Sequence, residues 1–156
     1  MRKILGLLLV AVVGVALLAY TYTAEAAEKK ITISEMQGKV QIKEAGASSW
    51  KLAEWGMRLG SGDTVRTGAG AYADLSFNGM AQTALVRVEA SSEMAIDTFT
   101  TSKIMNRRKI LLDLAIGEVL VKANKLKNQS QFQVRTPTSI VGVRGTGFKV
   151  KVTAEQ

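Results

Sequence analysis

The sequence predicts an all-β domain of many short strands, in a solenoid-like or sandwich-like β stack, preceded by an N-terminal signal helix. Three observations predict it. Apolar and polar residues alternate with a period of two in run after run, glycine-bearing turn signals separate many of these runs, and one long apolar stretch is confined to the amino end.

The amino end comes first. Arg2 and Lys3 form a short basic start, followed by an apolar run from Ile4 to Ala19. Tyr20 to Thr23 make a polar exit, and Ala24-Glu25-Ala26 supplies the small-x-small pattern of a signal-peptidase site. Charge, apolar core and cleavage site in this order predict a signal peptide over residues 1–26, cut between Ala26 and Ala27. The competing reading is an uncleaved anchor. Either way the positive end stays inside and the rest of the chain is outside the cytoplasm. The expected divisions are a linker at 27–35, a β domain at 36–152 and a tail at 153–156.

In the β region, Ile31 and Ile33 alternate with Thr32 and Ser34, and Val40 and Ile42 with Lys39, Gln41 and Lys43. Ala71, Ala73, Leu75 and Phe77 share one face, opposite Tyr72, Asp74, Ser76 and Asn78. Phe132 and Val134, then Phe148, Val150 and Val152, repeat the pattern. Period two places one face in a core and one in water. Gly38, Gly46, Gly60-Ser61-Gly62-Asp63, Gly68-Ala69-Gly70, Asn78-Gly79, Gly117 and Gly145-Thr146-Gly147 separate the runs. Glycine supplies the positive φ of tight turns, and Asn-Gly suits a two-residue hairpin. Two stretches read both ways. Residues 52–59 suit a helical turn, and 105–115 suit a short helix or, preferably, a strand continuing into Gly117-Glu118-Val119. Short echoes, Val65-Arg66-Thr67 with Val134-Arg135-Thr136 and Gly38-Lys39-Val40 with Gly117-Glu118-Val119, hint at repeated strand-turn units.

Composition narrows the chemistry. The 156 residues contain no histidine and no cysteine, which removes the usual neutral-pH general base, the thiol nucleophile and zinc-thiolate ligation. No cofactor or metal is expected, and the chain reads as a non-catalytic binding protein. A glycosidase would need two carboxylates facing one cleft, and nothing in the spacing of Glu89, Glu93, Asp97 and Asp113 singles out a pair. The formal net charge is +8; loss of residues 1–26 removes Arg2, Lys3 and Glu25 and leaves 19 basic against 12 acidic residues, or +7. Such a surface favours anionic partners, with nucleic acid the least fitting for an exported chain.

Two blocks carry a resemblance: Gly62-Asp63-Thr64-Val65-Arg66-Thr67-Gly68 and Val143-Arg144-Gly145-Thr146-Gly147-Phe148. Around them fall Gly38-Lys39-Val40, Trp50, Leu52, Gly56, Leu59, Gly70, Ala73, Leu75, Phe77, Asn78-Gly79, Gly117, Val119, Phe132, Val134 and Thr136-Pro137. In this order the chain from 36 to 152 resembles a FecR domain. The resemblance implies an extracytoplasmic, β-rich, solenoid-like domain. In the family's signalling members it belongs to an inner-membrane regulator that senses an outer-membrane receptor and controls a sigma factor. Here three residues precede the apolar run and the sequence closes at Gln156, so fold and compartment are expected to carry over and sigma-factor control is not.

The expected role is thus a periplasmic or secreted module contacting an envelope protein, with peptidoglycan or another anionic envelope polymer as the alternative partner. Membrane contact is expected only through an uncleaved signal segment. Within the motifs, Gly62, Asp63, Arg66, Thr67, Gly68, Arg144, Gly145 and Thr146 read as turn residues. Asp63 suits a turn cap. Arg66 and Arg144 either present guanidinium groups to an anion or bond turn carbonyls and Asp63. Lys103, Arg107, Arg108 and Lys109 form one basic cluster and Lys122, Lys125 and Lys127 another. They are either a patch for anionic polymer or lipid, or ordinary solvated loops. Trp50 and Trp55 suit sugar stacking or core packing.

Overall fold

The computed structural model describes residues 30–77, 84–102, 104, 107–124, 130–143 and 146–153. The signal segment, with Ala26 and Ala27, lies outside them. Among the described residues there is no helix, and the alternating runs form twelve strands. They are β1 (Ile31–Gln37), β2 (Val40–Lys43), β3 (Lys51–Leu52), β4 (Arg58–Leu59), β5 (Thr64–Thr67) and β6 (Tyr72–Phe77). The second six are β7 (Ala84–Val88), β8 (Glu93–Ser102), β9 (Arg107–Ala123), β10 (Gln131–Arg135), β11 (Ile140–Val143) and β12 (Thr146–Val152). Ile31 and Ile33 are fully buried, which brings residues 31–35 into the sheet as part of β1.

The all-β prediction holds, and the strands assemble as one curled, half-barrel sheet in the order β3-β2-β5-β8-β9-β7-β6-β1-β4. The 17-residue β9 joins its two halves. Residues Arg107 to Ile116 pair with β8, and within them Lys109 to Asp113 also run parallel to β10. Beyond Gly117 the strand pairs with β7 on one side and β12 on the other. The ambiguous 105–115 stretch is therefore strand from Arg107 onward.

Curling brings the two ends of the sheet path together, because β3 and β4 are consecutive in the chain. The connection between them is a hydrogen-bonded turn, not helix: Met57 N–H donates to Glu54 O at 3.1 Å, with Gly56 at φ +78°. A positive φ at that third position is what a type II turn demands, and glycine meets it without strain. Ala53 N–H donates to Val40 O and Gly56 N–H to Ile33 O, so the turn ties β2 to β1 across the seam.

The core fills the space inside the curl. Phe77 of β6 meets Phe99 of β8 and Phe132 of β10 edge-on, with centroids 5.8 and 6.1 Å apart. This geometry aligns ring edges with ring faces and adds to the burial of all three. Ala73, Leu75 and Phe77 are buried as the alternation predicts. Asp74 lies on the opposite face yet is also buried. Arg87 of β7, its ladder partner, covers it with two hydrogen bonds of 2.7 Å. The Arg87 guanidinium in turn lies 4.4 Å from the Tyr72 ring centroid, and Tyr72 donates its hydroxyl to Glu35 at 2.6 Å.

That last bond raises the Tyr72 phenol above its ordinary value of 10.0, because Glu35 holds the proton on. Tyr72 is the single tyrosine after Tyr22. Its 295 nm titration in the chain from Ala27 is expected to have a midpoint above 10, and Glu35→Gln is expected to lower it. The sign follows from linkage: a raised folded value favours the neutral phenol. The contribution is whole below the unfolded value and is lost as pH climbs through the folded one.

Candidate functional site

The Gly62–Gly68 block spends its polar groups on the scaffold. Asp63 is buried, and its carboxylate accepts the N–H of Ala45 at 2.8 Å and of Gly60 at 2.9 Å. Its own carbonyl accepts Ile96 N–H at 2.9 Å. Gly62, at φ +88°, passes so close to Ala45 that a Cβ there would sit 2.7 Å from the alanine methyl. Thr67 Oγ1 donates to Glu89 O at 2.5 Å and accepts Ser92 N–H at 3.0 Å, which fixes the β7–β8 turn. Gly68 closes the block, its N–H donating to Lys39 O and its carbonyl accepting from Ala71 and Ser91. The block is strand β5 with a turn at each end, tied to Lys39, Ala45, Ile96 and the Glu89–Ser92 turn.

Arg66 does not pair with Asp63. Its side chain points the other way from the strand's buried neighbours, donates to Gln41 Oε1 at 3.0 Å and stacks 4.1 Å from the Trp50 ring centroid. Lys43 Nζ is 5.0 Å from the same ring. Trp50 is thus a half-buried outer-face residue held by two cations. Trp55 is 77% exposed, with its indole N–H donating to Ser34 O. In the second block, Arg144 and Gly145 lie outside the described residues, and Thr146 is placed only as the first residue of β12.

A family model described as FecR protein matches residues 63–156, more than half of the sequence. The chain belongs to the FecR family. Neither a curated protein nor a solved structure matches it.

In this FecR domain the described members of the two basic clusters, Arg107, Arg108 and Lys109 of one and Lys122 of the other, lie in different halves of the sheet. Lys103, Lys125 and Lys127 lie outside the described residues. Arg107, Arg108 and Lys109 open β9, whereas Lys122 is near its far end, in the other half of the sheet. At about 3.3 Å per residue they are separated by roughly 40 Å along the strand. The first cluster borders an open cleft of about 420 Å³, lined also by Thr100, Thr101, Ser102 and Gln131. Burial lowers the Arg108 guanidinium from its ordinary value.

Two features escaped the sequence reading. A second cleft of about 460 Å³ lies on the outer face of the FecR sheet, floored by Ala95 and Ala115 and edged by Glu93, Asp113 and Arg135. Arg135 donates to Asp113 at 2.7 Å and stands 3.8 Å from Asp97. Hydrogen bonding to Asp113 raises its guanidinium further above the ordinary value. The Val134-Arg135-Thr136 echo of Val65-Arg66-Thr67 was the available signal, since both place an arginine on the outer face. The other is Ile104, 98% exposed where β8 turns towards β9. The available cue was an isoleucine outside any alternating run, followed by Met105-Asn106 and then the basic run Arg107–Lys109.

Proposed function

We propose that this FecR domain is a non-catalytic binding and signalling module of the bacterial cell envelope, working in the periplasm or after secretion by contacting an envelope protein. Family membership supports the compartment and the class of role. The observation that carries the partner is the sheet's unfinished margin. Among the described residues β11 pairs only with β10, and β12, over seven residues, only with β9. Such strands present main-chain donors and acceptors that an extended segment of another protein satisfies by strand addition. Ile140, 64% exposed at the start of β11, offers apolar contact beside that margin.

The motif residues fit this reading. With Asp63 and Thr67 committed to backbone groups, recognition falls to edges and loops on a rigid frame. In-cell crosslinking of the tagged chain, followed by mass spectrometry, tests it. One enriched envelope protein, crosslinked at β11 or β12, is the expected result. Recovery of wall glycan fragments without a protein partner would overturn it in favour of polymer binding.

A further inference from the structure

We propose that the margin which receives the partner is β12, and that the strand added there is an extended segment in which acidic residues alternate with apolar ones. This choice of edge and of partner chemistry rests on the strand-addition reading above.

The two faces of β12 ask for different side chains. On the core side Val150 is buried, while Phe148 and Val152 are half-buried and pack against the core from its rim. An added strand stands about 4.8 Å beyond β12. Apolar side chains on its inward face cover what is still exposed of Phe148 and Val152. β12 also offers the longer ladder, with seven residues against four in β11. The Ile-Val-Gly-Val sequence of β11 carries no charge with which to select a partner.

On the outer face the margin is basic. Gly147, Lys149 and Lys151 alternate with the core-side residues, and all three are exposed. Lys149 is committed to Glu118 at 2.8 Å, which neutralises the carboxylate nearest the edge. Glu89 lies beyond Glu118, on the β7 side of β9. Lys151 has no ion-pair partner among the described residues, and neither has the exposed Lys122, which stands opposite Gly147 in the β9–β12 ladder. The backbone does not call for glycine at 147. Its φ is outside the left-handed region, and a Cβ would meet only Val121 O at 3.7 Å and Lys122 Cγ at 3.9 Å, both ordinary contacts. The missing side chain instead leaves a gap through which Lys122 faces the edge, in keeping with glycine where another backbone approaches. An acidic residue opposite Gly147 on the added strand meets Lys122, and one opposite Lys151 pairs with it directly at a Cβ spacing of about 5 Å. The same lysines disfavour a second copy as occupant, because two β12 margins paired with each other set like charges face to face. An acidic strand meets the opposite sign, so attraction and repulsion select together.

The probe is an end-blocked peptide, Thr-Glu-Val-Glu-Val-Glu-Thr, set against versions with glutamine or lysine in place of glutamate. The full chain, kept in nonionic detergent, is followed by hydrogen exchange of single amides and by anisotropy of the labelled peptide. The glutamate peptide is expected to slow exchange of the β12 N–H groups that point away from β9. It should bind roughly tenfold tighter than the glutamine peptide, at about threefold for each of two favourable pairs. The lysine peptide should bind weakest. K122E with K151E is expected to reverse the order, so that the lysine peptide binds tightest. Both side chains are exposed, so the unfolding midpoint should hold. Equal binding of the three peptides at β12, or protection at β11 instead, would overturn this choice of partner and edge while leaving strand addition standing. Protection at neither margin would overturn both.

Discussion

Replacing Gly117 by alanine is expected to destabilise the domain by about 4 kcal/mol, the sum of backbone strain and a steric clash. Gly117 stands at φ +96°, in the region that L side chains rarely enter. A Cβ there would meet the Ser92 hydroxyl directly and come within 2.5 Å of Ser92 Cα and Cβ. Ser92 cannot withdraw cheaply. It is buried, its N–H donates to Thr67 Oγ1 at 3.0 Å, and its Oγ accepts Glu118 N–H at 2.9 Å. Gly117 is also the point at which β9 leaves one half of the sheet for the other. The close approach of the Ser92 turn is what lets one strand serve both halves.

Gly70→Ala separates the two terms. Gly70 has φ +67° and nothing within 4 Å of a Cβ position, so that variant is expected to cost only about 1 kcal/mol, from strain alone. Urea unfolding of both variants reads the difference. Equal losses would mean that the Ser92 contact yields easily and that β9 is not pinned at this point.

Alternation exposed the strands because one face of nearly every strand is buried, and a period of two survives wherever that holds. It failed where tertiary contacts, not local pattern, set burial. Asp74 reads as an outward residue and is outward, but Arg87 of the neighbouring strand, itself stacked on Tyr72, covers it. Residues 52–59 carry Leu52, Trp55, Met57 and Leu59 at spacings that suit a helical turn. They instead close the seam of the curl, a position defined only once β1 and β2 are in place. The glycines of the first motif were legible as turn residues, since positive φ is a local property. The partner of Asp63 was not, because Ala45 lies 18 positions away and offers a backbone group rather than a charge. The separation of Arg107 from Lys122 was hidden for the opposite reason. Arg107 and Lys122 are close in sequence, but a single extended strand holds them at opposite ends.

Asp63→Ala is expected to cost about 3 kcal/mol, because it strands the buried Gly60 N–H and the half-buried Ala45 N–H without an acceptor. Asp63→Asn should recover little of this. One amide oxygen replaces one carboxylate oxygen, but the amide NH₂ then faces a second donor. Arg66→Ala is expected to cost only about 1 kcal/mol, since it removes one bond to a neutral Gln41 and a stack on Trp50 at a half-exposed site. The pair of variants decides what the family motif is for. A motif that builds the frame loses stability at Asp63 and keeps partner capture in Arg66→Ala. A motif that itself binds a partner would lose capture in Arg66→Ala while the unfolding midpoint stays nearly unchanged. The bonds of Asp63 and Thr67 to backbone groups of other segments place the larger effect on stability, which is how a turn motif acts when its side chains stand in for missing ladder partners.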